Sequence, residues 1–439
     1  MGQLDKIQSL YDTFPYFNCP IEKSPKDDPR SLYLHDMVTS FYYRDREVIS
    51  SEGKVILDAG CASGYKSLTL AEANPGAKIV GIDLSEKSVK LARERLEYHG
   101  VKNAEFYAMS IEQVGSLGLE FDYINCDEVL YLVDDVAMGL STMKSVLKPN
   151  GIIRANLHSA IERVNYFRAQ EIWKTLGLMD RAPQAEECEM VRGVMENLKD
   201  NVFLKILTWN QEPEHFDELI CANHLLVGDK GFKVPDVFAA LRQSQLEFIG
   251  MVHWDEWNLI NLFKNTDELP IDFMLKLSEM SVEEQLHLYE LFHCGQRLLD
   301  FWCGHPQPDN PSIPVEDWDR QHWEQATVHL HPQLMTEGFK QAATDTIRDR
   351  RAIALHHYLP ISPNINPVMD SSVTTHFFPL IDSPLPFPSL VKRWQLLHPV
   401  DPITLEATTR EQATQELKAE LVPLHEMGYV LLESPSSKG

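Results

Sequence analysis

Two acids and two glycines, Asp58, Gly60, Gly64 and Asp83, are the residues of this chain whose types and spacing best suit a ligand. Asp58 closes the apolar run Lys54-Val-Ile-Leu-Asp58, which reads as a buried strand, and Gly60-Cys-Ala-Ser-Gly64 follows as a turn. Glycines there let the backbone approach a ligand and take positive φ, where a Cβ would clash. Asp83 stands 23 residues beyond Gly60, at the end of a second apolar run, Lys78-Ile-Val-Gly-Ile-Asp83. A carboxylate at that tip can accept hydrogen bonds from both hydroxyls of a ribose. Positioning these groups takes a strand, the turn, a helix from about Tyr65 to Asn74 and a second strand. That is the opening of a nucleotide-binding βαβ unit.

Two ligand classes compete for such a turn. A dinucleotide would want Gly-x-Gly-x-x-Gly, so that its pyrophosphate rests on the helix N-terminus. Here Asp58 precedes the turn and would repel a pyrophosphate, whereas it suits the cationic amino-acid end of S-adenosylmethionine. The Asp-x-Gly-x-x-x-Gly pattern, with Gly-Ile-Asp83-Leu84-Ser following, resembles motifs I and II of the class I S-adenosylmethionine-dependent methyltransferases. The resemblance implies an α/β, Rossmann-like sheet, S-adenosylmethionine as cofactor, and cofactor-binding residues at Asp58, Gly60, Ala62, Gly64, Asp83 and Leu84. Ala62 stands where the family usually has its middle glycine, a departure that a small side chain tolerates. Lys148-Pro-Asn-Gly151 is another point of likeness, expected as a turn ahead of a fifth strand.

Strand-like runs at 103–108, 121–126 and 152–157 keep the same alternation with helices, which predicts a parallel sheet covered on both faces. Ligands in such sheets bind beyond the carboxyl ends of the strands. That edge collects Asp58, Asp83, Ser110, Asp127 and His158. The family usually places an acid near Ser110 to bind the adenine amino group; here Ser110, Ile111 and Glu112 occupy the place. Methyl transfer from a sulfonium is an in-line displacement, so the protein mainly holds the nucleophile in near-attack geometry. Family members that modify amides and bases often carry Asn-Pro-Pro-Tyr after the fourth strand, where this chain reads Asn125-Cys-Asp-Glu128. In an extended backbone Asp127 and Glu128 point to opposite sides, and Asp127 is the expected catalytic acid. Tyr131 either lines the acceptor pocket or packs a helix, and His158 is either a base or structural.

The formal charge is −25, with 40 basic and 65 acidic residues, and no basic patch stands out. Phosphate backbones would be repelled, which argues against a nucleic-acid partner. Arg348-Asp-Arg-Arg351 reads as a solvated helix face. Seven widely spaced cysteines without C-x-x-C fit a reducing cytosol. The scattered histidines show no metal-ligand spacing, so no metal is expected. No basic-then-apolar leader and no long apolar run is evident, so a soluble protein with no membrane association is expected.

The length calls for more than one domain. We read an N-terminal arm over 1–50, a cofactor domain over 51–158, a helical insertion completing the catalytic domain over 159–303, and a C-terminal α+β accessory domain over 317–439. The arm carries Tyr11, Phe14 and Tyr16, which either close over the ligands or pack on the sheet. Residues 159–220 look helical throughout, replacing the antiparallel hairpin that ends many small methyltransferases. Val234 opens a helix with proline in its first turn, 246–253 reads as a strand able to pair on the sheet edge, and 267–297 reads as helix running into apolar 298–302. Residues 304–316 mark a domain boundary, 360–390 reads as irregular surface, and the C-terminus reads as a small α/β module of winged-helix type.

The arm's Tyr11-Asp-x-x-Pro-Tyr16, with Val234-Pro-Asp and Leu246-Glu-Phe-Ile-Gly, is similar to bacterial protein methyltransferases that carry a regulatory domain. More narrowly it resembles the methyltransferases that modify an asparagine of phycobiliprotein β subunits. The resemblance implies a protein side-chain nitrogen, asparagine amide or lysine amine, as acceptor and a protein as partner. The alternatives are a small-molecule N- or O-methyltransferase and a non-catalytic S-adenosylmethionine-binding scaffold.

Overall fold

The computed structural model describes residues 3–14, 19–209, 216–307, 313–362, 366–401 and 403–434. The chain forms two compact units: residues 1–24, 53–71 and 76–306 in one, and 25–52, 72–75 and 307–439 in the other. The stretch read as a single arm over 1–50 therefore divides after Ser24. Its second half belongs with the C-terminal residues because Tyr33 joins their apolar core and the Tyr42 hydroxyl bonds the backbone of Leu432.

The first unit is built on seven strands: β1 (Val55–Ala59), β2 (Lys78–Asp83), β3 (Ala104–Ala108), β4 (Phe121–Cys126), β5 (Leu147–His158), β6 (Glu247–Met251) and β7 (Leu298–Gly304). Their order is β3-β2-β1-β4-β5-β7-β6. The first five run parallel, while β7 is antiparallel to β5 and β6 antiparallel to β7. β1 and β4 are mostly apolar, and because the sheet is covered on both faces even Asp122 and Asn125 of β4 are buried. Local signals start the crossover helices. Ser85 caps the helix Glu86–Tyr98 through the Ser88 amide, and Asp135 caps Val136–Ser145 through the Met138 amide.

Three sequence expectations change. Lys148–Gly151 is no free turn before a strand: β5 begins at Leu147 and carries these residues as an irregularity, its register jumping between Phe121↔Leu147 and Tyr123↔Ile152. The antiparallel end of the sheet is kept, not replaced. Residues 298–302, read as the end of a helix, form β7, and a short apolar run looks alike in a buried strand and a buried helix. The added residues instead lengthen the connections around that pair. Helices Val164–Thr175, Ala185–Asn197 and Phe203–Thr208 precede β6, and Ile271–Glu279 and Val282–Phe292 precede β7.

In the second unit Thr327–Leu330 is the central strand, pairing antiparallel with both Leu385–Pro386 and Val430–Glu433. Those outer strands are separated by helices Phe387–Leu397 and Arg410–Glu426 and do not pair with each other, so no wing hairpin forms. Nor is 360–390 irregular surface. It holds the helix Ser371–Phe377 and buries Met369, Leu380 and Phe387; Pro379 and Pro388 fall in first turns and Pro386 on an edge strand, where no amide is needed. Arg348, Arg350 and Arg351 are exposed at the end of the helix Glu337–Asp349. All seven cysteines are free thiols, and among the described residues no helix is long and apolar enough to cross a membrane.

One buried ion pair ties the reversed strand to the parallel ones. Arg154 of β5, 3% exposed, meets Asp300 of β7 at 2.6 and 3.1 Å and Asn125 of β4 at 3.3 Å. Asp300→Ala leaves that guanidinium without its main partner, and urea unfolding is expected to show a loss on the order of 3 kcal/mol.

Candidate active site

The loop after β1 folds back over the end of β2. The Gly60 and Cys61 amides both donate to the Ile82 carbonyl at 2.8 and 2.9 Å. Gly60 has φ +93, and a Cβ there would stand 2.2 Å from Val129 Cγ2; Gly64 has φ +83, with Ala92 Cα 2.5 Å from its Cβ position. Both positions require glycine. Ala62, in the family's middle position, also sits at positive φ (46°). Left-handed backbone costs an alanine roughly 1–2 kcal/mol, and its amide is bonded to Asp83 Oδ2 at 3.0 Å.

Beyond the strand tips lies an open cleft of about 820 Å³. Its wall includes Gly60, Ala62, Asp83, Leu84, Ser110, Ile111 and Asp127, all expected from the sequence, together with Glu112, Glu128, Val129 and Leu132. Ile7 and Tyr11 of the N-terminal helix Gln3–Thr13 add to it, and Ser85 Oγ holds Asp12 of that helix at 2.5 Å. Phe14 packs against the core of the same unit, while Pro15 and Tyr16 lie outside the described residues. Asp83 accepts the Ala62 and Ser85 amides, one on each oxygen. Burial raises its pKa, against the pull of those two amides.

Asp58, Gly64, Tyr131 and His158 are not on the cleft wall. Asp58 is 1% exposed, with Ser67 Oγ donating to Oδ2 at 2.5 Å and Asn125 Nδ2 to Oδ1 at 3.0 Å. The expectation that it grips the cationic end of a ligand directly is corrected: it clamps β1 to β4 and to the following helix, Tyr65–Ala73. Gly64 serves helix packing against Ala92.

Asp127 and Glu128 both line the cleft, against the expectation that an extended backbone brings only one of them there. Glu128 has φ 65, which breaks the alternation of an extended strand and sets both acids on the cleft. Its amide is held there by Asn156 Oδ1 at 2.8 Å. Asp127 accepts Asn156 Nδ2 at 2.6 Å and faces Lys66 Nζ at 2.6 Å. Glu128 is gripped by both guanidinium nitrogens of Arg297 and by the Tyr131 hydroxyl at 3.1 Å. Burial would push Glu128 up, but His158 and the Arg297 guanidinium beside it outweigh this and hold its pKa at about 2.

Behind Glu128 the chain continues inward. His158 stacks on Tyr131 with ring centres 3.6 Å apart, and its Nε2 lies 3.6 Å from Glu128 Oε2 and 3.2 Å from Arg297 Nη1. Its Nδ1 is 2.6 Å from Asp229, which is fixed by Arg163 at 2.8 Å and Gln170 at 2.9 Å. Asp229 stays ionised: burial raises its pKa, but His158 and Arg163 lower it further. The ionised carboxylate puts the imidazole proton on Nδ1 and makes Nε2 the acceptor, facing Arg297 Nη1. In sequence Gly228-Asp-Lys-Gly231 reads only as a turn, and the acid between its two glycines is the one signal it carries. Nothing marked Arg297, Arg163 or Lys66.

Residues 50–219 match the family model described as a methyltransferase domain. A ubiquinone biosynthesis O-methyltransferase of Thiobacillus denitrificans is 32% identical over 164 residues, 36% of this chain and 69% of that one. The chain belongs to the S-adenosylmethionine-dependent methyltransferases. An uncharacterized protein of Synechococcus sp. is 26% identical over 316 residues, 71% of this chain and 73% of that one. The PKMT2 structure from Rickettsia typhi superposes with a TM-score of 0.57 at 16% identity, covering 95% of this chain and 77% of that one, and a second structure of it holds AdoHcy. At that identity the likeness speaks to the fold, which it extends over both units. As a member of this family the chain is an enzyme whose cofactor is S-adenosylmethionine, and the cleft fits it: a carboxylate at the tip of β2 for a ribose, apolar Ile111 and Met109 for a base, and charged groups at the β4 end.

Burial lifts Asp58 from an ordinary 3.8 to about 6, against the hydrogen bonds of Ser67 and Asn125. The folded state therefore binds its proton more tightly than the unfolded chain, so its contribution to stability is fullest below about pH 4 and is lost as pH rises through 6. Melting temperatures of wild type and Asp58→Asn across pH 4.5–7.5 are expected to show the wild type's relative advantage shrinking as pH rises.

Proposed function

We propose that the methyl acceptor is a side-chain nitrogen of another protein, an asparagine amide or a lysine amine, with phycobiliprotein β subunits as the narrower candidate. The observation that carries this reading is Glu128, a carboxylate kept ionised on the cleft wall and backed by His158 and Asp229. S-adenosylmethionine supplies the activated methyl group, and the protein's task is placement and proton removal. A nitrogen acceptor carries a hydrogen that must leave as the new N–C bond forms. Glu128 would accept that N–H, orienting an amide or attracting an ammonium. The proton passes on to His158 Nε2, 3.6 Å behind, whose positive charge Asp229 balances. Tyr131 orients both groups, by its hydroxyl and by its ring. The helical connections and the second unit offer surface for a macromolecular acceptor. Seven free thiols, with Cys188 and Cys221 at 3.3 Å, suit action in a reducing cytosol.

A second reading has its own support. Val129, Leu132, Val133 and Met109 make part of the cleft apolar, and the Thiobacillus relative is named as an O-methyltransferase. A small hydroxylated acceptor would use the same Glu128–His158 path.

Intact-mass measurement after incubation with S-adenosylmethionine and unmodified phycobiliprotein β subunit is expected to show one added CH2 at an asparagine. Glu128→Gln should lower that rate by about a hundredfold while affinity for S-adenosylhomocysteine is retained. Methylation of small phenols and of no protein would replace this reading with the second.

A further inference from the structure

The amino-acid end of the cofactor needs partners for an ammonium and a carboxylate, and the acid expected to provide one of them, Asp58, is closed off by Ser67 and Asn125. The strand order β3-β2-β1-β4 lays the tips in a row. Ser110 and Glu112 follow β3, Asp83 ends β2, Gly60 follows β1 and Asp127 follows β4, and all of them line one cleft. With base and ribose at the first two tips, the remainder of the cofactor would lie toward Gly60 and Asp127.

Asp127 is built to exchange one partner while keeping the other. Its Oδ1 is held by Asn156, which is fully buried, at 2.6 Å. Its Oδ2 is held by Lys66 at 2.6 Å, and the two side chains differ sharply in exposure: 4% for Asp127 and 43% for Lys66. Arg154 stands 3.9 Å away and favours the anion. Lys66 lies in the first turn of the helix after the glycine loop, on a flexible four-carbon stem. Glu128, the other acid on this wall, is the group proposed above to meet the methyl acceptor.

We infer that Asp127 and Lys66 together receive the amino-acid end of the cofactor, Asp127 Oδ2 taking its α-ammonium and the released Lys66 taking its α-carboxylate. An internal salt bridge exchanges partners with a zwitterion of the same two charges. One ammonium replaces another at Oδ2, so no uncompensated charge is buried. The site thereby distinguishes the intact cofactor from adenosine thioethers that lack the amino-acid end.

Calorimetric binding with three ligands tests this. S-adenosylhomocysteine has both charged groups, S-adenosyl-3-thiopropylamine keeps the amine but lacks the carboxylate, and 5′-methylthioadenosine has neither. Asp127→Asn should weaken S-adenosylhomocysteine about tenfold and leave 5′-methylthioadenosine unchanged. Lys66→Gln should lower the preference for S-adenosylhomocysteine over the thiopropylamine by about tenfold. Asp83→Ala, at the ribose end, should weaken all three alike. The inference is overturned if the preference survives in Lys66→Gln, or if Asp127→Asn weakens 5′-methylthioadenosine as much as S-adenosylhomocysteine. Lys66 is half exposed and its loss leaves Asp127 beside Arg154, so this variant decides the matter even where Asp127→Asn does not fold.

Discussion

Carboxylates gathered at one edge of a parallel sheet repel one another and lose water, so each must be met by a donor before the fold can hold them. Here Asp58, Asp83, Asp127, Glu128, Asp229 and Asp300 share that edge, and every one is answered. Asn125 and Ser67 serve Asp58, backbone amides serve Asp83, and Asn156 and Lys66 serve Asp127. Arg297 serves Glu128, Arg163 serves Asp229, and Arg154 serves Asp300. How tightly each donor is fixed separates clamp from site. Asp58 and Asp300 are met by buried groups, whereas Asp127 and Glu128 each face a half-exposed cation, Lys66 and Arg297.

The long connections have a definite part in this arrangement. The turn before β6 brings Asp229 beneath His158, and its backbone is sewn to the end of β5, Phe232 donating to the His158 carbonyl and accepting from the Ala160 amide. Gly231 allows that approach, since a Cβ there would lie 2.7 Å from Ala160 Cα. The segment before β7 ends in Arg297. The connection before β6 thus brings Arg163 and Asp229 to His158 and the one before β7 brings Arg297, while the cleft itself is lined from the tips of the first four strands and the N-terminal helix.

Much of the cleft wall was legible in sequence because it is local. A strand, a glycine turn and an acid on the next strand are short-range patterns, and Gly60, Asp83 and Ser110 stand in the cleft where those patterns put them. The same reasoning misplaced Asp58, because its partners come from a helix and from β4, contacts that carry no local mark. It misjudged Glu128 because the alternation rule assumes extended backbone, and a bond from Asn156 on a neighbouring strand supports a left-handed residue instead. Residues 298–302 were misread for a related reason: a central strand and a buried helix end are equally apolar.

The order of residues by itself determined the alternation of strand and helix through β5, the glycine turn and the family to which the chain belongs, since each depends on neighbours within a few residues. Tertiary structure alone decided which acids face the cleft and which are sealed, how β7 reverses to pair with β5, and how His158 gains Asp229 and Arg297 from 71 and 139 residues away. The physical reason is that burial and charge pairing are set by whatever packs alongside, and packing partners here are distant in the chain.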